Sequence, residues 1–289
     1  MALENSSPLV SFRRGEQVFS LGTRDEDVLH LHGSQGLGLP PVDIQLVDRI
    51  GADGAKENGV RYKEREIFIP LLIHKRTLAE CTAVRRELYS FLDPHEGPVE
   101  IVIEDPATGT VRRISGRYKG GLEGDFDSGF HGAWQTLGLK FVCPDPWWLG
   151  EQKLISLSVA PGTKPFISSS RSFFPVVLSQ STVQDRFTVE IAGAGEVAPT
   201  WQVTGPGEDL MISNGEEVFR VNHQLRADET LIIDTAKRRL IPDVWEKVPL
   251  SSRLFPLKPG ANHLHITMTG ATHETRITLV YAERFLEAI

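Results

Sequence analysis

Apolar and polar residues alternate at every second position through much of this chain, and only an extended strand turns that period into one buried and one exposed face. Phe187, Val189 and Ile191 share one side, with Thr188 and Glu190 on the other. Val99, Ile101 and Ile103 repeat the pattern, as do Leu264, Ile266 and Met268, then Ile277, Leu279 and Tyr281. His263, His265 and Thr267 take the opposite side of their strand. Turn signals cut these runs short at Ala52-Asp53-Gly54, Glu57-Asn58-Gly59, Thr108-Gly109, Ser213-Asn214-Gly215 and Lys258-Pro259-Gly260-Ala261-Asn262. The fold is therefore expected to be mainly β, and such short strands predict sandwiches or barrels.

One segment breaks the rule. From Thr77 to Leu92 the apolar residues Leu78, Cys81, Val84, Leu88, Phe91 and Leu92 recur at three- and four-residue spacing, the stripe of a single amphipathic helix. Thr77 and Glu80 form a capping box at its start, and Asp93-Pro94 ends it because proline has no N–H to continue the ladder. Arg85, Arg86 and Glu87 fall off the stripe.

A length of 289 residues predicts two domains. Turn and linker residues gather after Trp148-Leu149-Gly150, in Val159 to Pro165 and Ser168-Ser169-Ser170. This places the division near 158, giving domains 1–158 and 159–289, with strand pattern resuming at Phe173. No apolar run approaches the ~20 residues of a membrane helix, so no membrane insertion is expected. The first five residues lack the basic and apolar regions of a secretory leader. With 31 Lys and Arg against 38 Asp and Glu, the net charge is −7. Both halves are acidic, which argues against sequence-specific binding of DNA or RNA. Cys81 and Cys143 are expected to be buried thiols of a chain folded in reducing cytoplasm.

A search for chemistry finds no nucleophile elbow, zinc-protease helix, phosphate loop or dinucleotide fingerprint. Gly33 to Gly38 has the wrong spacing and reads as a turn. His30/His32 and His263/His265 each pair imidazoles on one strand face, but no third metal ligand can be named. Asp125-Phe126-Asp127-Ser128-Gly129 lacks the glutamate that closes a calcium loop, Thr136 standing there instead. The carboxylate pairs Glu208-Asp209 and Glu216-Glu217 flank turns. The expectation is no enzyme, no cofactor and no metal. Trp134, Trp147, Trp148, Trp201 and Trp245 leave an alternative, a sugar-stacking platform, although Trp134 and Trp201 fall within strands, where tryptophan is usually core.

The ordered succession of short motifs resembles the siphophage distal tail proteins, often called Dit, over nearly the whole chain. In the first half the similarity runs through Asp48-Arg49-Ile50-Gly51-Ala52-Asp53-Gly54-Ala55, then Arg61-Tyr62, then Arg65 to Pro70-Leu71. It continues with the helix from Thr77, Gly97-Pro98, Gly116 to Tyr118, Gly121-Leu122-Glu123, Leu137 to Phe141 and Asp145-Pro146-Trp147-Trp148. The second half is similar through Phe173 to Val176, Ala198-Pro199-Thr200, Gly205-Pro206-Gly207, Leu231 to Asp234, and Pro259-Gly260-Ala261-Asn262. One departure is Gly193-Ala194-Gly195-Glu196, where members often carry an Asn-Gly-Asp turn.

The resemblance implies a tube-like β-sandwich domain with one helix at about 77–92, followed by a galectin-like β-sandwich. It implies a homo-hexameric ring at the virion tail tip, assembled in the bacterial host's cytoplasm. Such a ring joins the tail-tube protein to tail-tip hub or receptor-binding proteins and lets viral DNA pass as cargo. The alternative is a carbohydrate-binding β-sandwich acting directly on the host surface.

Overall fold

A computed structural model describes residues 8–22, 28–123, 133–159, 176–178 and 182–289. The Asp125–Gly129 loop, the expected linker beyond Val159 and the strand start at Phe173 lie outside the described residues. The chain divides into two compact units, 1–150 with 285–289, and 151–284. Residue 158, near which the sequence reading places its division, lies within the strand Trp148–Val159.

In the first unit the strands are β1 (Leu9–Arg14), β2 (Gln17–Leu21), β3 (Val28–His30), β4 (Val42–Asp48), β5 (Ala55–Tyr62) and β6 (Arg65–His74). After helix α1 (Leu78–Phe91) come β7 (Val99–Asp105), β8 (Thr110–Gly120), β9 (Trp134–Cys143) and the start of β10 (Trp148–Val159). Pairing runs β2-β1-β7-β8-β9-β6-β3. A bridge between Gly22 and Leu29 then joins the end of β2 to β3, so the strands close around one core and their edges are spent. The turn is made by β8, which pairs with β7 up to Gly116 and with β9 from Arg117.

Alternation fills that core. Ile67, Ile69, Leu71 and Ile73 of β6 are buried, as are Val99, Ile101 and Ile103 of β7, with Phe12, Leu139 and Phe141 facing them. Helix α1 adds Cys81, Leu88 and, just past its end, Leu92. Both arms of the capping box are present, Glu80 N donating to Thr77 Oγ1 at 3.3 Å and Thr77 N to Glu80 Oε2 at 3.1 Å. Leu78 is half exposed at the end of the stripe, whereas Phe91 reaches Phe19 at 5.9 Å between ring centres.

The second unit is a sandwich of two sheets. One has the order β17 (Arg239–Ile241), β16 (Thr230–Asp234), β13 (Thr200–Thr204), β19 (Arg276–Phe285), β10, with β11 (Val176–Leu178) beside β10. The other has the order β12 (Thr182–Ile191), β18 (Gly260–Thr269), β14 (Glu208–Ser213), β15 (Val218–Val221). Leu264, Ile266 and Met268 meet Trp201, Val203, Ile277, Leu279 and Tyr281 in a core to which Leu157 of β10 also belongs. Trp201 is thus core, but Trp134, the first residue of β9, is more than a third exposed.

Candidate functional site

Strands β4 and β5 form a two-stranded sheet of their own. Val42, Ile44 and Leu46 alternate along β4, and the register sets Val42 opposite Tyr62 and Ile44 opposite Val60. Side chains directly opposite share a face, so Val42, Ile44, Val60 and Tyr62 make an apolar patch, with Leu46 opposite Glu57 beyond a bulge. It is also open: Ile44 is 53%, Leu46 62% and Val60 57% exposed. The reverse face pairs Asp43 with Arg61, Nε to Oδ2 at 2.8 Å, and with Lys63 at 3.4 Å. Hydrogen bonds from Arg61 and then Lys63 hold the Asp43 carboxyl below its ordinary pKa.

The hairpin accounts for the first group of expected site residues. Asp48, Arg49, Gly51, Ala52, Asp53 and Gly54 are its exposed tip, where Gly51 and Gly54 take positive φ of 75° and 83°. Arg61 and Tyr62 end β5, and Tyr62 meets Trp147 edge-on at 5.5 Å between ring centres. The apolar residues Val42, Ile44, Leu46 and Val60 escaped the sequence reading. Their signal was present, as alternation leading into the glycine-rich turn.

Arg65 is a second residue the sequence left unexplained. It is 1% exposed, and its guanidinium donates to four backbone carbonyls. Nε reaches Pro146 O at 2.9 Å, Nη1 reaches Gly36 O at 2.6 Å and also Gly38 O, and Nη2 reaches Leu286 O at 2.8 Å. Burial lowers its pKa from the ordinary arginine value. Gly36 (φ 81°) passes so close to β6 that a Cβ there would sit 2.0 Å from Glu66 O, so the Gly33–Gly38 turn has a steric reason for its glycine.

Around this node lie Asp145, Pro146, Trp147 and Trp148. Asp145 Oδ1 accepts from Trp147 N at 3.3 Å, Trp147 is half-buried, and Trp148 is fully buried beneath the Arg65 guanidinium. Adjacent strand residues face opposite ways, and these two rings obey that. Pro70 lies within β6 opposite Gly138, its carbonyl accepting from Leu31 N at 2.9 Å.

In the second unit the expected residues are dispersed. Gly205 precedes a cis proline, and Asp234 accepts from Lys237 N at 2.9 Å in the turn after β16. Pro259 and Gly260 shape the turn into β18, which buried Asn262 ties down. Its Oδ1 accepts from Lys258 N at 2.8 Å, and its Nδ2 donates to Lys258 O at 2.7 Å and Gly260 O at 3.0 Å. Gly193, in the departing turn, lies against Arg284, where a Cβ would meet the carbonyl oxygen at 2.5 Å. Among the described residues no group of three or more His, Cys, Asp or Glu side chains could hold a metal ion. His30 instead bonds Ser34 Oγ at 2.7 Å, and burial lowers its pKa.

Comparison with known families decides what this architecture is. The profile of the phage tail protein RIFT-related domain matches residues 30–118, which include the hairpin and the helix. The profile of the siphovirus-type tail component, C-terminal domain, matches residues 192–285. The chain belongs to the siphophage distal tail protein family. No curated protein matches it. Among solved structures, the Dit protein (gp 19.1) of phage SPP1 is 17% identical with a TM-score of 0.65, covering 96% of this chain and 99% of that one. That protein is described as a paradigm of the hub adsorption apparatus in phages infecting Gram-positive bacteria. The phage p2 baseplate in its activated conformation contains a chain 9% identical with strontium and 8% identical with calcium. Both comparisons have a TM-score of 0.54 and cover 95% of this chain and 98% of the other. As a distal tail protein, the chain is a component of the virion tail with a structural role there.

Proposed function

We propose that this distal tail protein forms a homo-hexameric ring joining the tail-tube protein to the tail-tip hub or receptor-binding proteins, with viral DNA passing through the lumen. The observation that carries this reading is the β4–β5 hairpin. A two-stranded hairpin is marginal in water, and one with an apolar face open to solvent needs a covering surface. The hairpin face is covered in turn by a different patch of the next copy, and such head-to-tail contacts close into rings. A stable ring contact buries more than ~1,000 Å² of total surface. A net charge of −7 supports passage of DNA, because a basic lumen would hold the phosphates by releasing their counterions. In this reading residues 1–158 act as the tube-like ring domain and 159–289 as a galectin-like outward domain, assembled in the host cytoplasm.

The double substitution I44D/L46D tests the hairpin. Light scattering of the purified protein, and copy number in assembled tails, should show multiples of six for the parent and loss of assembly for the variant at an unchanged melting temperature. A copy number that is not a multiple of six, or assembly indifferent to both charges, overturns the reading.

A further inference from the structure

The outward face of the β12-β18-β14-β15 sheet holds a cavity of about 330 Å³ lined by Arg186, Ser213, Asn214, Gly215, His263, Leu264 and His265. Register explains how these residues meet. Arg186 of β12 lies opposite His265 of β18, and His265 lies opposite Ser213 of β14, so the three form one cross-strand row. The next row on β12 and β18 sets Thr188 opposite His263, with Thr188 Oγ1 and His263 Nδ1 3.0 Å apart. Inward-facing Leu264 and Ile266 are core, so both rows stand on the opposite face.

The chemistry of this lining departs from the rest of the chain. In a protein with more acidic than basic residues, the described residues of the cavity wall include a guanidinium and two imidazoles. His265 Nε2 is buried and makes no hydrogen bond to any described residue, and a buried polar nitrogen in that condition calls for a partner. Asn214 Oδ1 is committed to the backbone N–H groups of Glu216 and Glu217, at 3.0 and 2.7 Å, which leaves its amide hydrogens outside that network. A guanidinium suits phosphate oxygens because its N–H groups lie in one plane at matching spacing. The cavity has room for about ten waters at ~30 Å³ each, more than a bare phosphate fills.

We propose that this cavity binds a phosphate group carried on a small polyol or sugar, with Arg186 and His265 on the phosphate and Asn214 and His263 on the hydroxyls. This site is independent of ring formation. The test follows the ring signals of His263 and His265 by NMR in the full chain during titration with glycerol 3-phosphate, inorganic phosphate or glycerol. Glycerol 3-phosphate should give a saturable shift at millimolar concentration, at least tenfold weaker for Arg186→Gln and for His265→Gln. Glycerol should give none, and inorganic phosphate should bind at least tenfold more weakly than the ester. No saturable shift, indifference to both substitutions, or inorganic phosphate binding as tightly as the ester overturns the proposal. Light scattering of the same samples reports ring assembly separately.

Discussion

Arg65 donates from Nη2 to the carbonyl of Leu286 at 2.8 Å, joining residues 221 positions apart in sequence. The five C-terminal residues thereby belong to the first unit, where Ala288 is fully buried, its N–H donating to Leu37 O at 2.8 Å, and Phe285 lies under the Arg112 guanidinium.

Replacing Arg65 with methionine keeps much of the volume but leaves four carbonyls without their donor. Leaving one buried polar group unpaired costs about 1–3 kcal/mol. The expected loss for Arg65→Met is therefore at least about 3 kcal/mol. Arg65→Lys should recover only part of it, because an ammonium cannot span four acceptors in a plane. Denaturant unfolding of both variants measures this; a methionine variant as stable as the parent contradicts it.

The two neighbouring tryptophans should separate cleanly. Trp148→Ala empties a fully buried site and is expected to cost about 3–5 kcal/mol. Trp147→Ala removes the edge-on contact with Tyr62, worth about 0.5–1.5 kcal/mol beyond the area it buries, and should lower the melting temperature less. Equal losses would place the two rings in equivalent surroundings, contrary to the structure.

Stability should fall at alkaline pH through one thiol in particular. Burial pushes Cys143 up to about 12 from an ordinary 9.0, with Arg65 pulling the other way. Between those values the folded thiol keeps its proton while the unfolded thiol loses it. The folded state then binds more protons, and stability declines as pH rises. The contribution is complete below pH 9 and falls by up to about 1.4 kcal/mol per pH unit above it. Cys143→Ala should flatten this slope. Tyr118 and Tyr281, also raised chiefly by burial, add their own decline above 10 in parent and variant alike.

Fragments should respect the strands rather than the linker. Residues 151–284 contain the whole second core, including Leu157, and Ser156 Oγ, which lies 3.3 Å from Thr278 Oγ1. This fragment should melt cooperatively. A fragment from Phe173 onward lacks β10, leaves an edge of β19 unpaired, and should melt lower or without a sharp transition. Calorimetry of the two decides it.

Local chemistry was readable in the sequence wherever the cause lay within a few residues. Thr77 and Glu80 announce the helix start, and the 264/266/268 alternation gives the inward face of β18 directly. Arg65 could not be read this way, because its burial depends on carbonyls supplied by distant residues 36, 38, 146 and 286. At the hairpin, the alternation of Val42, Ile44 and Leu46 was present in the sequence but went unread. It could not show that no described residue covers their shared face. Trp134 differs for a related reason: position at the end of a strand, not residue type, leaves it more than a third exposed. Turn residues mark where a strand stops, so the sequence placed its division at 158, near the end of β10, although β10 already supplies Leu157 to the second core.

The return of residues 285–289 to the first unit sets a clock on biosynthesis. A ribosome that has delivered the first 150 residues must still make all of 151–284 before Leu286 and Ala288 emerge. At about 5–20 residues per second this interval is on the order of ten seconds. During it the first unit lacks one acceptor for Arg65 and one piece of its core. The unit that carries the hairpin therefore gains its last Arg65 acceptor only after the whole of the second unit has been translated.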